Sequence, residues 1–349
     1  MTSRLAANRQ FLTDLFIGPF RGHGIIFDAP DLQSPNWALG DVATSELPVA
    51  DFVPLAVNNY AARLRYHEAL DDDSVPYVIP WTGTALFPAA FGCAVHFYEE
   101  NAPYPHVLVN TSDEADTLAT PTLESRVFQR IFAFGDLIRQ ELGPDVPLCV
   151  PDIQSPFDIA AMIWHKEDLF VAMYEEPDAV KRFVAKCEQI LTEFLAAYTQ
   201  RFVNVNFCHC PIAWAPPEAG VWMSEDEIGS LTPEMVEAFS LPSLVTMSEV
   251  FGGINLHCCA SADHQYPTLR KIPNLHGLNR VFQEPGPRPA VKAFAGHTVL
   301  VNGWQYEDSV NDCLDMAEPD SRFLFSMNGI GLDDAKRVLE QYFARCPRI

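Results

Sequence analysis

Residues 177–210, PDAVKRFVAKCEQILTEFLAAYTQRFVNVNFCHC, combine one long helix with one strand, and this pair decides the fold class. Apolar side chains recur at three- and four-residue spacing after Pro177, which predicts an amphipathic helix over Pro177–Phe202. Proline suits the first helical turn, since an N–H there has no partner within the helix. The short run Val203–Cys210 is rich in Val and Phe and predicts a strand. A helix followed directly by a strand is the unit of an alternating α/β chain.

The same alternation extends over most of the sequence. Further strands are predicted at Tyr77–Trp81, Leu148–Ile153, Ile254–Cys259, Gly277–Phe282, Val299–Gly303 and Phe323–Asn328, and further helices at Asn58–Leu70, Glu124–Leu142 and Leu332–Phe343. Strands that alternate with helices form a parallel sheet with helical crossovers. With an eighth strand expected in the N-terminal half, the pattern favours an α/β fold of the (β/α)8 TIM barrel type. An open doubly wound sheet is the alternative, but no glycine-rich nucleotide motif follows any strand.

We predict a single domain with two parts. Residues 1–70 contain scattered prolines and little periodicity before Asn58, and they are expected to form an irregular N-terminal extension packed on the barrel. Residues 71–349 are expected to form the barrel itself. The nine cysteines are odd in number and irregularly spaced, which is typical of reduced thiols and not of a disulfide framework.

The charge balance excludes several classes of partner. The chain carries 23 Lys and Arg against 46 Asp and Glu, a net charge of −23. Nucleic acids and anionic membrane surfaces attract clustered basic residues, so neither is expected as a partner. No apolar run is long enough for a membrane span, and Met1–Gln10 has no apolar signal segment. These features predict a cytoplasmic protein.

Polar side chains concentrate where the predicted strands end, which is where a (β/α)8 barrel builds its active site. Candidate acid–base residues are Asp152, Asp226 and His257. The candidate substrate-binding residues are Gln154, Trp222, Asn279, Asn302, Trp304 and Asn328.

The segment Asn255–Cys259 suggests a metal site. Side chains alternate along a strand, so His257 and Cys259 lie on one face while Cys258 lies on the other. Imidazole and thiolate on one face suit tetrahedral zinc, although a histidine beside core cysteines is an equally good interpretation. Further ligands are expected from Cys208, Cys210 or a carboxylate of the loop Glu225–Glu227, such as Glu225. Packing of the thiols against a helix and capping of a helix by the loop are the simpler alternatives.

Several segments resemble the uroporphyrinogen decarboxylase superfamily, which includes zinc-dependent corrinoid methyltransferases. PDIQSPFDIAA (151–161) with YEEPDAV (174–180) resembles the family's G-P-F-T-x-A and E-E-P-E-x-V signature. LTPEMVEAFSLP (231–242) is similar to its L-S-P-E helix, and GGINLHCCA (252–260) to its H-x-C-G strand, with Ala260 in place of Gly. FSMNGIG (325–331) falls where the family's last strands end, so the likeness covers about Tyr77 to Phe343.

The resemblance implies a (β/α)8 barrel and a function near that of the methyltransferases. Uroporphyrinogen decarboxylases hold their polycarboxylate substrate with an N-terminal arginine cluster, whereas Gly18–Ile25 contains one arginine. The methyltransferases bind zinc through the His and Cys of H-x-C, matched by His257 and Cys259, and through a later Cys. Asn328 stands at that later position, and Cys313 precedes it in a predicted helix.

Three functional hypotheses follow. The leading one is zinc-dependent methyl transfer on a small methylated compound or a corrinoid, with a corrinoid protein as a partner. The second is a metal-free decarboxylase, lyase or hydrolase that uses Asp152, Asp226 and His257 as acid–base groups. The third is a non-catalytic barrel that binds a small molecule. A homodimer is the expected assembly.

Overall fold

The structure is a computed structural model that describes residues 3–211, 213–282, 286–302 and 309–347. Its α-helices are α1 (Ser3–Ile17), α2 (Val53–Ala69), α3 (Leu86–Phe91), α4 (Ser112–Thr117), α5 (Arg126–Leu142), α6 (Pro156–Ile163), α7 (Lys166–Glu175), α8 (Pro177–Arg201), α9 (Pro233–Phe239), α10 (Leu241–Phe251), α11 (Tyr266–Leu269), α12 (Arg288–Phe294), α13 (Ser309–Asp315) and α14 (Leu332–Arg345). Its strands are β1 (Gly24–Phe27), β2 (Val95–His96), β3 (Tyr104–Pro105), β4 (Leu148–Cys149), β5 (Val205–Asn206), β6 (Val221–Ser224), β7 (Ile254–Cys258), β8 (Leu275–Arg280), β9 (Val299–Asn302) and β10 (Arg322–Met327).

The barrel wall is made of parallel strands. Six of them form one sheet in the order β1-β10-β9-β8-β7-β6, and β4 pairs in parallel with β5. A parallel bridge from Gln154 to Ser224 of β6 joins these two groups, and a parallel bridge from Val78 to Leu148 adds the chain at Val78 beside β4. The N–H of Asp73 donates to the carbonyl of Ile25, so the chain leading into Val78 runs beside β1. The predicted parallel sheet with helical crossovers is confirmed.

The register of the strands aligns one row of side chains across the wall. Ser224 on β6 pairs with His257 on β7, and His257 pairs with Asn279 on β8. Side chains that are paired across neighbouring strands point to the same face of a sheet, so these three face the barrel interior together. The alternate residues face the helices, as the ring contact between Phe325 and Tyr342 of α14 shows.

The helices form where the apolar periodicity predicts them. The prediction over Pro177–Phe202 corresponds to α8, which has Pro177 in its first turn and ends at Arg201. Its buried stripe includes Phe183, Cys187 and Phe194 and packs on α4 and α6. Within the described residues, no helix combines the length and apolarity that a membrane crossing needs.

Residues 3–70 are more regular than expected. They form α1, α2 and β1, and β1 pairs with β10 as a member of the main sheet. The guanidinium of Arg322 on β10 donates to the carbonyls of Asp14, Leu15 and Gly18, which ties the end of α1 to the sheet. The division at residue 70 therefore stays a prediction. The regular elements within residues 3–70 were not all expected, because long-range pairing gives structure that local periodicity does not reveal.

Two strands of the main sheet, β1 and β6, were absent from the sequence prediction, and both have only four residues. The short antiparallel pair β2 and β3 was not predicted either. Gly220 precedes β6 with a φ of +85°, and its missing side chain lets it lie against the backbone of Gly253 before β7. Val203–Cys210 contracts to β5, because the Asn206 side chain accepts from the N–H groups of Cys208 and Ala215 after the strand. In Tyr77–Trp81 the structure has an isolated bridge at Val78.

Candidate active site

Asp226, His257 and Cys259 meet at the carboxyl ends of β6 and β7. His257 lies near the end of β7 and is buried on the interior face, while Cys259 follows the strand and is exposed. Asp226 follows β6, and alternation from the interior residue Ser224 directs its side chain toward the same region. One potential ligand atom from each residue lies within 4.8 Å of the other two. The structure therefore brings an imidazole, a thiol and a carboxylate into one group.

Cys259 and Asp226 contact each other directly. The backbone N–H of Cys259 donates to Oδ1 of Asp226 over 2.6 Å, and the thiol donates to the same oxygen over 3.2 Å. Burial, together with the negative charge of Asp226, raises the pKa of the Cys259 thiol to about 12. In the absence of a cation the thiol therefore keeps its proton. A cation that binds here replaces that proton.

The ring of His257 is oriented by Asn279. The side-chain amide of Asn279 donates to the carbonyl of Val301 over 2.6 Å, which points its Oδ1 at His257. Nδ1 of His257 lies 2.5 Å from that oxygen and so carries the ring proton. Burial lowers the pKa of His257, which favours the neutral ring. Nε2 is thus the nitrogen with the lone pair, the form in which histidine binds metals.

Asp158 of α6 holds the loop that carries Asp226. Its buried carboxylate accepts the backbone N–H groups of Asp226, over 2.6 Å, and of Glu227, over 3.0 Å. Ser155 caps α6 by accepting the N–H of Asp158, which fixes the helix under the loop. These two hydrogen bonds fix the backbone position of Asp226, and the backbone position determines which groups its side chain can contact.

A cavity of about 290 Å³ lies next to this group. It is lined by Ile79, Pro80, Trp81, Thr82, Asp152, His209, Cys210 and Asn328. Oδ1 of Asp152 accepts from the Gln154 side chain over 2.8 Å and lies 3.1 Å from Nε2 of His209. Burial raises the pKa of Cys210 well above its usual value, and the negative charges of Asp152 and Asp226 add to the effect. Cys210 therefore lies between the cavity and the candidate ligands.

Several predicted residues lie where the sequence placed them. Asp226, His257 and Cys259 form the group, and Asp152, Cys210 and Asn328 line the cavity. Gln154 and Asn279, expected to bind substrate, instead hold Asp152 and His257 in position. Trp304 lies outside the described residues.

Two of the three expected further ligands lie elsewhere. The Cys208 thiol donates to the carbonyl of Pro211 over 3.2 Å and is fully buried. Glu225 is fully buried beside the hydroxyls of Ser155 and Ser240, and burial raises its pKa to about 8. It follows the interior residue Ser224 and so faces away from the ligand group, which corrects its assignment as a ligand.

Trp222 and Asn302 do not face the cavity. Trp222 pairs with Asn255, one interior row below His257, and its ring meets Phe16 of α1 at 6.3 Å between centroids. Asn302 is on the helix-facing side of β9, where its amide lies 3.4 Å from the sulfur of Cys313. Both were expected at the site because they lie near strand ends. The strand register determines how deep in the barrel each side chain lies and which face of the sheet it occupies, and the sequence does not reveal that register.

His209 and Asp158 are the site residues that sequence reasoning missed. His209 lies in the predicted strand-end run Cys208–Cys210, where the two thiols are the more obvious candidate ligands. Asp158 lies in the segment PDIQSPFDIAA, whose resemblance to a family motif gives this carboxylate no role. Its partners are about seventy positions away in the chain, so no local pattern indicates them.

Comparisons with known proteins agree with the fold. The family model of uroporphyrinogen decarboxylase (URO-D) matches residues 64–215, which confirms the resemblance drawn from the sequence. A solved methyltransferase from Methanosarcina mazei is similar with a TM-score of 0.66 and 14% identity, covering 97% of this chain and 99% of that one. At this identity the likeness shows the fold, and the predicted (β/α)8 barrel is confirmed.

Two further comparisons carry no argument. The apo form of the homocysteine methyltransferase MmuM from Escherichia coli reaches a TM-score of 0.23 at 9% identity, over 67% of this chain and 95% of that one. A search of curated proteins finds no match.

Proposed function

We propose that this protein is a zinc-dependent methyltransferase that acts on a small methylated compound or a corrinoid. The observation that carries the proposal is the group formed by Asp226, His257 and Cys259 at the barrel mouth. Catalytic zinc sites keep three protein ligands and leave a fourth position for substrate. The adjoining cavity gives a small molecule access to that position.

The three side chains fit zinc in chemistry and in spacing. Bond lengths of about 2.0–2.3 Å put the ligand atoms of one tetrahedral zinc roughly 3.3–3.8 Å apart. Cys259 and Asp226 are already 3.2 Å apart, and the whole group spans 4.8 Å, so a small side-chain rotation closes the remaining gap. Two anionic ligands and one neutral imidazole would balance the ion's charge. Asp226 takes the place of the third thiolate that Asn328 does not provide.

Some residues of the site would bind the ion, and others position those ligands. Zinc, when bound, lowers the pKa of a coordinated thiol and so supplies a nucleophile for attack on a methyl group. Asp226, His257 and Cys259 would hold the ion, and Asn279 orients the ring of His257 through Nδ1. Asp158 fixes the backbone of Asp226. The cavity beside them would align the methylated compound with the nucleophile.

The methyl donor and acceptor follow from the same chemistry. A small thiol is the acceptor that zinc activates best, and a methylated small molecule or a corrinoid on a partner protein is the donor. A net charge of −23 argues against a polycarboxylate porphyrinogen. The similar fold of the Methanosarcina mazei methyltransferase supports this choice of reaction class. We also propose a homodimer and a cytoplasmic location, as the sequence suggested.

Zinc content tests the proposal. Purified wild type, reconstituted with zinc and dialysed, is expected to retain about one zinc ion per chain by elemental analysis. His257→Ala and Cys259→Ser are expected to retain far less. Cys258→Ser is the matched control, because Cys258 is adjacent in sequence but faces the helices. A wild-type protein without zinc, or variants that retain it equally, would contradict the mechanism.

Methyl transfer is then measured directly. Methylcobalamin and 2-mercaptoethanol serve as probes, because loss of the methyl group changes the absorption spectrum of the corrinoid. Activity is expected in the zinc-loaded wild type and to be lost in His257→Ala. A rate that is equal in both proteins would exclude this site from the reaction.

One observation favours a second candidate function. Asp152 and His209 lie 3.1 Å apart in the cavity, a geometry suited to acid–base chemistry. Together with Asp226 and His257 they would support a metal-free decarboxylase or related lyase. An activity that persists in the presence of a strong chelator and is lost in His209→Gln would favour this function over methyl transfer.

A further inference from the structure

We infer that the cavity beside the candidate zinc ligands binds a small onium cation, a methylated ammonium or sulfonium compound, as the methyl donor. This inference rests on the proposed function and names the substrate class of its site. The argument depends on the lining of the cavity, its charge and its size.

The lining combines an apolar wall with one carboxylate. Ile79, Pro80 and Trp81 form one side, and the ring of Trp81 is partly exposed. Trp37 packs against Trp81 edge-on at 6.5 Å between centroids, which fixes the orientation of the indole. Asp152 supplies the carboxylate. Aromatic faces and carboxylates are the groups that recognise quaternary ammonium ions, which cannot donate conventional hydrogen bonds.

The charge of Asp152 has no permanent counter-charge among the described residues. No Lys or Arg lines the described part of the cavity. Gln154, a neutral donor, binds Oδ1. The remaining neighbour is His209, whose Nε2 accepts the backbone N–H of Ile153 over 3.2 Å. The same Nε2 lies 3.1 Å from Oδ1 of Asp152, and an imidazole, unlike Lys or Arg, carries no permanent charge.

Asp152 is therefore an acidic side chain beside the candidate ligands, and no Lys or Arg of the described cavity lining offsets it. An onium donor would neutralise it on binding, whereas an anionic donor would be repelled.

The volume of the cavity limits the ligand. Binding cavities for drug-sized molecules have volumes of about 300–1,000 Å³. At about 290 Å³ this cavity is at the lower end, which suits a compound with a trimethylated head and a short chain. A corrinoid ring does not fit inside it and would have to present its methyl group from outside.

The reaction balances without any further reagent. The sulfur of the acceptor thiol, deprotonated at the metal site with release of its proton to solvent, forms a bond to the methyl carbon. The bond from that carbon to the positively charged nitrogen or sulfur breaks, and its electron pair stays with the leaving atom. A neutral amine or sulfide departs. Asp152 attracts the cationic donor but not the neutral product, which favours product release.

A pair of isosteric probes tests this inference. Choline carries a trimethylammonium head, and 3,3-dimethylbutan-1-ol carries a neutral head of the same shape. Titration calorimetry on the zinc-loaded wild type is expected to show choline binding at least tenfold more tightly than the neutral probe. Equal affinities, or no binding of choline, would overturn the inference without any need for a variant.

Variants then assign the effect to residues. Asp152→Asn is expected to weaken choline about tenfold and to leave the neutral probe unchanged, while Trp81→Leu weakens both. Asp136→Asn is the control, because Asp136 pairs with Arg201 on the outer surface. Equal affinities of Asp152→Asn and wild type for choline would show that the Asp152 carboxylate does not contribute to binding.

Zinc content in the same samples separates the two proposals. Zinc without choline binding would refute the onium donor and leave the methyltransferase proposal standing. Choline binding without zinc would support the cation site and refute zinc-dependent transfer.

Discussion

The thiol of Cys259 and the backbone N–H of the same residue both donate to Oδ1 of Asp226, over 3.2 and 2.6 Å. One carboxylate oxygen therefore holds the cysteine in two ways. The backbone bond fixes the position of the residue, and the thiol bond sets its protonation. A cation at this point would exchange the thiol proton for itself and would leave the backbone bond in place.

Replacing Asp226 by asparagine is expected to make Cys259 more reactive in the metal-free protein. The negative charge of Asp226 raises the pKa of the thiol, so its removal increases the thiolate fraction, about tenfold for each unit by which the pKa falls. Alkylation of Cys259 by iodoacetamide, followed by mass spectrometry, measures the rate. Cys258 is the internal control, since it is buried on the other face of β7. A slower reaction at Cys259 in the variant would contradict the assignment.

Replacing Asn279 by alanine is expected to weaken zinc binding about 10- to 100-fold, the usual effect of removing the partner of a metal-bound histidine. Without the amide oxygen, Nδ1 of His257 loses its acceptor and the ring loses its fixed orientation. Competition with a chromophoric zinc chelator measures the affinity. Asn302→Ala provides the comparison, because Asn302 lies on the helix-facing side of the next strand. Equal losses in the two variants would indicate a general effect on folding.

The candidate site was partly predictable, and the missing part has one cause. Alternation along a single strand was enough to place His257 and Cys259 on one face. The third member required β6, whose four residues follow a proline-rich loop and carry too little pattern to identify. Had the strand been recognised, the same alternation would have selected Asp226 over Glu225. One unrecognised short strand thus separates the predicted ligand set from the observed group.

Site residues that act through contacts distant in the chain could not be predicted from the sequence. Asp158 accepts hydrogen bonds from a backbone segment about seventy positions later in the chain, and no spacing rule indicates such a contact. Trp222 and Asn302 were predicted at the site because both lie near strand ends, and the structure places them elsewhere. Trp222 lies deeper in the barrel, and Asn302 lies on the helix-facing side of its strand. The fold class needed only periodicity, whereas depth in the barrel depends on register across several strands.

Trp222 is expected to contribute to stability and not to ligand binding. Its side chain is 1% exposed and packs on Phe16, so Trp222→Ala leaves a cavity in the barrel interior. Loss of a buried aromatic side chain costs about 3–5 kcal/mol of unfolding free energy. Urea unfolding measures this cost, and zinc and choline titrations of the folded variant are expected to match the wild type. A stable variant with weakened choline binding would contradict this prediction and would indicate that Trp222 contributes to the substrate site.

Asp72 is expected to make the protein less stable as the pH rises toward neutrality. Burial raises its pKa from 3.8 to about 7, while the N–H of Phe27 and the hydroxyl of Ser74 donate to its carboxylate. Because the folded pKa is above the unfolded one, the folded state binds more protons between these values. The free energy of unfolding therefore falls across that window, by up to about 1.4 kcal/mol per pH unit.

The variant Asp72→Asn isolates this contribution. Urea unfolding of both proteins at several pH values between 4 and 7 gives the difference in stability at each pH. His67 lies nearby, and burial lowers its pKa to about 4, so its own effect opposes that of Asp72 but is common to both proteins. The wild type is expected to lose stability relative to the variant as the pH rises. A difference that does not change with pH would contradict the assignment.

Substitutions at the pair formed by Arg63 and Asp28 are expected to show that the N-terminal segment unfolds as part of the barrel. The guanidinium binds the carboxylate through two bonds of 2.9 and 3.0 Å, and both side chains are buried. Arg63 also stacks over Tyr77 at 4.5 Å, so one side chain joins α2, the end of β1 and the chain at Val78. Asp28→Ala leaves a buried cation unpaired and is expected to cost about 3–5 kcal/mol in urea unfolding.

Two comparisons decide what this loss means. The double variant Asp28→Ala/Arg63→Met removes the unpaired charge and is expected to recover much of the stability, since apolar replacement of a buried pair is often nearly neutral. Asp116→Ala breaks the exposed pair with Arg182 and is expected to cost no more than about 1 kcal/mol. A single cooperative transition in every variant would mean that residues 3–70 unfold with the barrel. A separate early transition in Asp28→Ala would instead support an extension that only packs on it, because the pair would then join two independently stable units.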